Sequence, residues 1–188
     1  MLLKHPVIWV LLLMSTVVVV VFIERLLHYH RAQINSFEFL NGIRNVLKRD
    51  NVVEALSICE ATPGPVARLV KTAIMSREKG REMVREAMEE VGLVEVPRLE
   101  EKLNLMATIA QIAPLVGLLG TVMGFIQVFY ALQQAGPFAG IQDLSGGIWE
   151  ALLSMAAGLA VSIPAYAGYN FLVHRVNSIV LDMEKASA

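Results

Sequence analysis

The sequence is short of charge and nearly without cysteine. Only 18% of its 188 residues are charged, where a soluble domain of this size carries about a quarter. The deficit is concentrated: the runs Val7–Ile23, Met106–Leu132 and Ala151–Val173 contain no Lys, Arg, Asp or Glu. A lone Cys59 excludes an internal disulfide and a Cys-rich metal site. There is no basic surplus either. A net charge of −1 argues against a nucleic-acid partner, because neutralising phosphates needs a basic patch. No Walker loop, nucleophile elbow or His-Glu zinc helix is present, so neither an enzyme nor a cofactor or metal site is expected.

What is there is apolar length. Runs of about 17–25 apolar residues match the thickness of a bilayer core, so three transmembrane helices are predicted and a fully soluble protein is excluded. The first run is longer than the ~7–15-residue core of a signal peptide and no small-x-small site follows it, which reads as a retained span entered at Pro6. Of the 16 Lys and Arg, 13 lie in residues 24–105, and the stretch Gln133–Gly147 has none. The positive-inside rule then sets the N-terminus outside and the C-terminus inside a cytoplasmic membrane. The expected organisation is a first span at 1–23, a cytoplasmic helical region at 24–105, a second span at 106–132, an outer loop at 133–147, a third span at 148–173 and a cytoplasmic C-terminal helix at 174–188.

Within 24–105 the periodicity is helical throughout, giving an all-α protein. Phe39, Leu40, Ile43 and Leu47 form one stripe, and Val52, Leu56 and Cys59 a second that puts the thiol on a packed face. Breaks are expected at Glu60–Pro65 and at Lys79-Gly80. Met83, Ala87, Val91 and Val94 make a further stripe, with Glu82, Glu86, Glu89 and Glu90 on a solvated face. Pro97 suits a first helical turn, so the next helix is expected from about residue 97 to Leu132, roughly 54 Å long. After the third run, Leu172, Val176, Ile179 and Met183 continue at heptad spacing, as for a helix packed in a cytoplasmic bundle.

Glu150 is the candidate for chemistry. It adjoins the apolar run of the third span without a basic neighbour, and a charge in a bilayer is expensive enough that it usually faces a water-filled cavity or a partner. The bland alternative is an interfacial acid at a helix start. Glu150, Ser154, Gly158 and Ser162 recur every four residues and share one small, polar face. On the second span Gly117, Gly120, Thr121 and Gly124 make a similar stripe; such stripes ordinarily mean close helix packing. Pro114 and Pro164 interrupt the two spans, which is tolerated where neighbouring groups satisfy the freed carbonyls. The ion-path candidates are Glu150, Thr121 and Ser154. Gly117, Gly120, Gly124, Gly158, Ser162, Pro114 and Pro164 are expected to pack helices or face a partner.

The segment Ala113-Pro114-Leu115-Val116-Gly117-Leu118-Leu119-Gly120-Thr121-Val122-Met123-Gly124, followed by Gly147-Ile148-Trp149-Glu150-Ala151-Leu152, Ala157-Gly158-Leu159 and Ile163-Pro164-Ala165, resembles the MotA/TolQ/ExbB proton-channel family. Three spans in a short chain are similar to its ExbB and TolQ branch; the flagellar members are longer, with four. The resemblance implies a homopentamer in a bacterial inner membrane around two copies of an ExbD/TolR-like single-span partner that carries a membrane aspartate. Protons moving down their gradient would charge and neutralise that aspartate, drive rotation, and energise a TonB-like or other envelope protein. It also implies that Thr121 lines the path beside the aspartate and that Glu150 matches the family's third-span glutamate. One position departs: Met155 stands where the family usually has Thr, and Ser154 offers its hydroxyl about 100° around the helix. Two other readings remain from the residues themselves. One is a non-conducting scaffold that assembles partner helices. The other is a self-contained channel, disfavoured because no embedded Asp, Lys or Arg accompanies Glu150.

Overall fold

The computed structural model describes residues 6–136 and 141–187, with the side chains of 135 and 141–143 left aside. Seven α-helices follow in order: α1 Pro6–Ala32, α2 Ser36–Leu47, α3 Val52–Ala61, α4 Pro65–Ser76, α5 Arg81–Glu100, α6 Leu103–Ala135 and α7 Ile141–Ser187, with a short 3₁₀ turn at Arg77–Lys79. No strand occurs among the described residues. Three stretches are long and apolar enough to cross a membrane, and they are carried by α1, α6 and α7. At 1.5 Å per residue, the 33 residues of α6 and 47 of α7 reach about 50 and 70 Å, well beyond a ~30 Å hydrocarbon core.

The chain divides into two compact units, the first holding residues up to Ile23 with Lys102–Asn170, the second Glu24–Glu101 with the chain from Phe171 onward. In the first unit, Val7 lies against Gly120, while Phe22 and Met106 both lie against Gly168. α1 therefore runs antiparallel to α6 and parallel to α7. Val7, Leu11 and Ala113 form its buried centre, with Met14, Val116, Ala157 and Val161 packed around it. No more than 28% of any apolar window is buried inside the monomer, and Leu13, Leu115, Ile126, Phe129, Trp149 and Ile163 stand outward. An apolar surface of that extent needs lipid or neighbouring subunits around it.

The second unit is a small helical bundle. Asn35 and Asn51 cap α2 and α3 through the Glu38 and Glu54 amides, and the Asn51 side-chain amide also donates to the Glu54 carboxylate at 2.7 Å. Ile43, Ala55, Cys59, Leu69, Ile74 and Met88 fill the core, so the thiol packs as an apolar group. Its burial raises its pKa, against the lowering effect of Lys71. The breaks fall where the sequence put them: Gly64 and Gly80 have φ of +115° and +94°. At Gly64 a Cβ would also meet the Ala32 carbonyl oxygen at 2.7 Å. Leu172, Val176, Ile179 and Met183 are all buried, as their heptad spacing predicts.

Three expectations are corrected. Pro97 does not open a helix; it lies inside α5, and the break comes at Lys102, whose φ is +67°. A proline removes one helical hydrogen bond, here the one to the Leu93 carbonyl, and Leu93 is on the exposed side where water can serve that oxygen. The buried face of α5 is not Met83-Ala87-Val91-Val94. It runs through Val84, Met88, Val91, Glu95 and Leu99, while Met83 and Val94 are exposed. Glu95 is only 5% exposed and sits between Arg68 at 3.2 Å and Arg98 at 3.3 Å, so a buried charge on the core face disguised the stripe. The connection expected at 133–147 is mostly helix, since α6 continues to Ala135 and α7 has begun by Ile141. Gly147, the last residue of that expected loop, lies within α7: a Cβ there would sit 2.5 Å from Val128 Cγ2, so the glycine serves close packing. Residues 137–140 of that expected loop lie outside the described ones, as do residues 1–5 of the expected first span.

Tyr29 is buried with its hydroxyl donating to the Leu99 carbonyl. Burial pushes its phenol up to about 12, the Arg25 charge opposes the rise and Glu100 adds to it. Its unfolded value is near 10. The folded chain therefore keeps a proton that the unfolded chain loses, so this stabilisation is full below about pH 10 and declines as pH rises towards 12. Alkaline unfolding followed by circular dichroism in detergent checks this. Tyr29→Phe is expected to be about 1 kcal/mol less stable at neutral pH and to lack the extra loss between pH 10 and 12; parallel pH profiles would contradict the assignment.

Candidate functional site

The first unit is organised by a ladder of small residues between α6 and α7. A Cβ on Gly158 would lie 2.7 Å from the Ala113 carbonyl oxygen and 2.9 Å from Gly117 Cα; one on Gly117 would lie 2.9 Å from the Ser154 carbonyl oxygen and 3.3 Å from Met155 Cα. Further along, Gly120 opposes the Ser154 side chain and Gly124 opposes Ala151. Backbones that close exclude any larger residue, and this is why glycine recurs at these positions. Met155 thus stands with its backbone against Gly117, adding an apolar side chain where the resemblance led one to expect a hydroxyl.

The hydroxyls on this ladder are committed to backbone oxygens. Thr121 is half-buried, and its Oγ1 lies 3.1 Å from both the Gly117 and Ala151 carbonyl oxygens, sharing one proton between α6 and α7. Ser154 is buried and donates to the Glu150 carbonyl at 2.9 Å. Ser162 donates to the Ala110 carbonyl at 2.6 Å. That last bond explains how Pro114 is accommodated. A proline at 114 cannot donate to the carbonyl four residues earlier, which is Ala110, and a hydroxyl from the facing helix replaces the missing amide. Pro164 lies within α7 next to buried Ala165 and is itself exposed.

Glu150 is half-buried and faces inward. With Ser154, Gly120, Gly124, Met123, Pro6 and Val7 it lines a cleft of about 10 Å³, room for about one water molecule. The structure therefore brings Glu150, Ser154, Gly120 and Gly124 together beside the start of α1. Thr121 is next to Gly120 in sequence but does not line this cleft; its oxygen is turned to the two carbonyls. A carboxyl group lining a water-sized space between otherwise apolar helices is a place where a proton can be met through a single water.

The second unit holds charged residues that sequence reasoning did not single out. Arg25 is 4% exposed, with Nη1 donating to the Arg98 carbonyl at 3.4 Å and Nη2 paired with Glu101 at 3.2 Å. With Arg68, Glu95 and Arg98 it forms a network carried by α1, α4 and α5. The available signal was Glu95 falling at i+4 from Val91 and i−4 from Leu99 on the apolar face.

Comparison with known proteins bears on the same segments. The model of the MotA/TolQ/ExbB proton channel family matches residues 61–185. An ExbB homolog of Methanothermobacter thermautotrophicus, described as a biopolymer transport protein, is 27% identical over 160 residues, 84% of this chain and 56% of that protein. The biopolymer transport protein ExbB of Neisseria gonorrhoeae is 29% identical over 188 residues, 93% of this chain and 84% of that protein. The Tol-Pal system protein TolQ of Haemophilus influenzae is 43% identical over 88 residues, 47% of this chain and 38% of that protein. The chain thus spans little more than half of the first relative and a smaller share of the third.

Proposed function

The chain belongs to the MotA/TolQ/ExbB proton channel family, and on that premise we propose that it is the multi-span subunit of a proton-driven motor that powers transport or envelope work. Its first and third spans run outside to inside, its 24–105 region and C-terminal helix lie in the cytoplasm of a bacterial inner membrane, and five copies surround an ExbD/TolR-like partner with one span and a membrane aspartate. The observation that carries the reading is the half-buried Glu150 on a small-residue face lining a water-sized cleft. In this mechanism the glycine ladder lets helices approach, the Glu150 carboxyl holds a polar seam open to the proton, and Thr121 exchanges one of its carbonyl contacts for the partner's aspartate as subunits step past it. One charge crossing 100 mV supplies about 2.3 kcal/mol, enough to break and remake such a contact at each step.

Thr121 tests this without disturbing shape. Thr121→Val is isosteric and lacks the hydroxyl, whereas Thr121→Ser keeps it. In cells dependent on the protein, gradient-driven work is expected to fall about tenfold with Val, the equivalent of one hydrogen bond of 1.4 kcal/mol, and to be largely kept with Ser. Equal assembly of both variants makes the difference functional. Full activity of Thr121→Val would remove the hydroxyl from the mechanism.

The commitment of Thr121, Ser154 and Ser162 to backbone carbonyls favours a second reading, a scaffold that assembles partner helices without conducting. It predicts that loss of the Glu150 charge is silent.

A further inference from the structure

A cavity of about 400 Å³ opens in the second unit among α1, α4 and α5. Four arginines line it, Arg25, Arg31, Arg68 and Arg98, against two carboxylates, Glu95 and Glu101, so its wall carries a net charge of about +2. The ion pairs already described use three of the arginines, and Arg31 has no ion pair or hydrogen bond among the described residues. Buried Arg25 keeps a side-chain donor, Nε, that nothing in the protein satisfies. The N-terminal end of α4, Gly64-Pro65, forms part of the same wall, and no side chain caps that helix. An uncapped helix start beside several guanidinium groups is suited to a phosphate, which accepts from planar forks and from backbone amides together.

The sequence position says which phosphate. Arg25, His28 and Arg31 all line the cavity and follow the last residue of the apolar run, Ile23, by two, five and eight positions. On one helix these positions lie about 3, 7 and 12 Å past the end of the apolar segment. The headgroup layer is about 5–7 Å thick, so Arg25 and His28 stand at its depth and Arg31 just beyond it, within reach of a phosphate at its outer edge. Basic residues placed just beyond a span attract anionic lipid. We propose that this pocket binds the phosphate of an anionic membrane phospholipid, with Arg31 and Arg68 as the contacting arginines and Arg25 as the buried anchor behind them. This inference stands independently of the motor reading, since it requires only that α1 crosses a membrane.

The full-length chain, purified in mild detergent and titrated with phosphatidylglycerol or phosphatidylcholine, provides the test, with bound lipid counted by native mass spectrometry. Phosphatidylglycerol is expected to bind preferentially, and Arg31→Gln to weaken it about five-fold, the worth of one basic residue at a charged surface. Arg68→Gln is expected to do the same, while Arg31→Gln, an exposed position, keeps the test valid if Arg68→Gln misfolds. Inorganic phosphate at millimolar concentration is expected not to displace the lipid. No preference for phosphatidylglycerol, or a preference unchanged in Arg31→Gln, would overturn the proposal. Displacement by free phosphate would overturn the assignment to a lipid.

Discussion

Gly158→Leu is expected to leave little folded protein in the membrane. Any side chain at 158 must displace the Ala113 carbonyl or Gly117 Cα, both backbone atoms of α6, so the two helices have to separate. Separation also breaks the Thr121 contact to Ala151 and the Ser162 bond to Ala110, leaving oxygens unsatisfied in hydrocarbon. Gly158→Ala isolates the steric part and is expected to destabilise by about 1–3 kcal/mol, the usual range for forcing a methyl into a packed interior. Gly92→Ala is the control: nothing lies within 4 Å of a Cβ there and α5 continues through it, so a gain of about 0.5–1 kcal/mol is expected from helix propensity alone. Unfolding in mixed detergent, followed by helix content, measures all three. A Gly158→Ala variant as stable as the parent would mean that the ladder is looser than drawn.

Glu150→Gln is expected to act in the opposite way, sparing assembly and removing function. The amide fits the same half-buried space and retains hydrogen-bonding capacity, but it neither carries charge nor exchanges a proton. Subunit assembly and helix content should match the parent, while gradient-driven work should fall by about 100-fold or more, the equivalent of some 2.7 kcal/mol of lost stabilisation for a charge crossing the membrane. The contrast between the two variants separates the readings. A motor loses activity in both, whereas a scaffold loses it only where assembly fails.

The long apolar helices were legible from the length of their uncharged runs, and the heptad at Leu172–Met183 because burial and periodicity come from the same apolar side chains. The ladder was legible for a related reason: glycine at i, i+3 and i+7 in a span has few purposes besides close approach. What stayed hidden depends on partners distant in sequence. Glu95 lies on a core face only because Arg68 and Arg98 reach it, and a carboxylate in an acidic helix gives no local sign of that. Pro97 looked like a helix start because its own chemistry fits one; its place inside α5 depends on an exposed Leu93 carbonyl that one-dimensional pattern does not reveal. At Gly147 the same residue type that breaks helices elsewhere in the chain is used for contact, and the sequence does not distinguish the two. For the site, Glu150 was found from its cost, but its orientation towards Pro6, Val7 and Gly120 required the helices to be placed in space.

Proton flux measured in sealed liposomes tests the central claim most directly. The chain and its single-span partner are reconstituted together, a pH gradient is imposed, and internal pH is followed with a trapped dye. We predict flux that requires both proteins and that Glu150→Gln lowers to the rate of liposomes lacking the partner. Flux that is the same with glutamine at 150, or none with the two assembled wild-type proteins, would contradict the account.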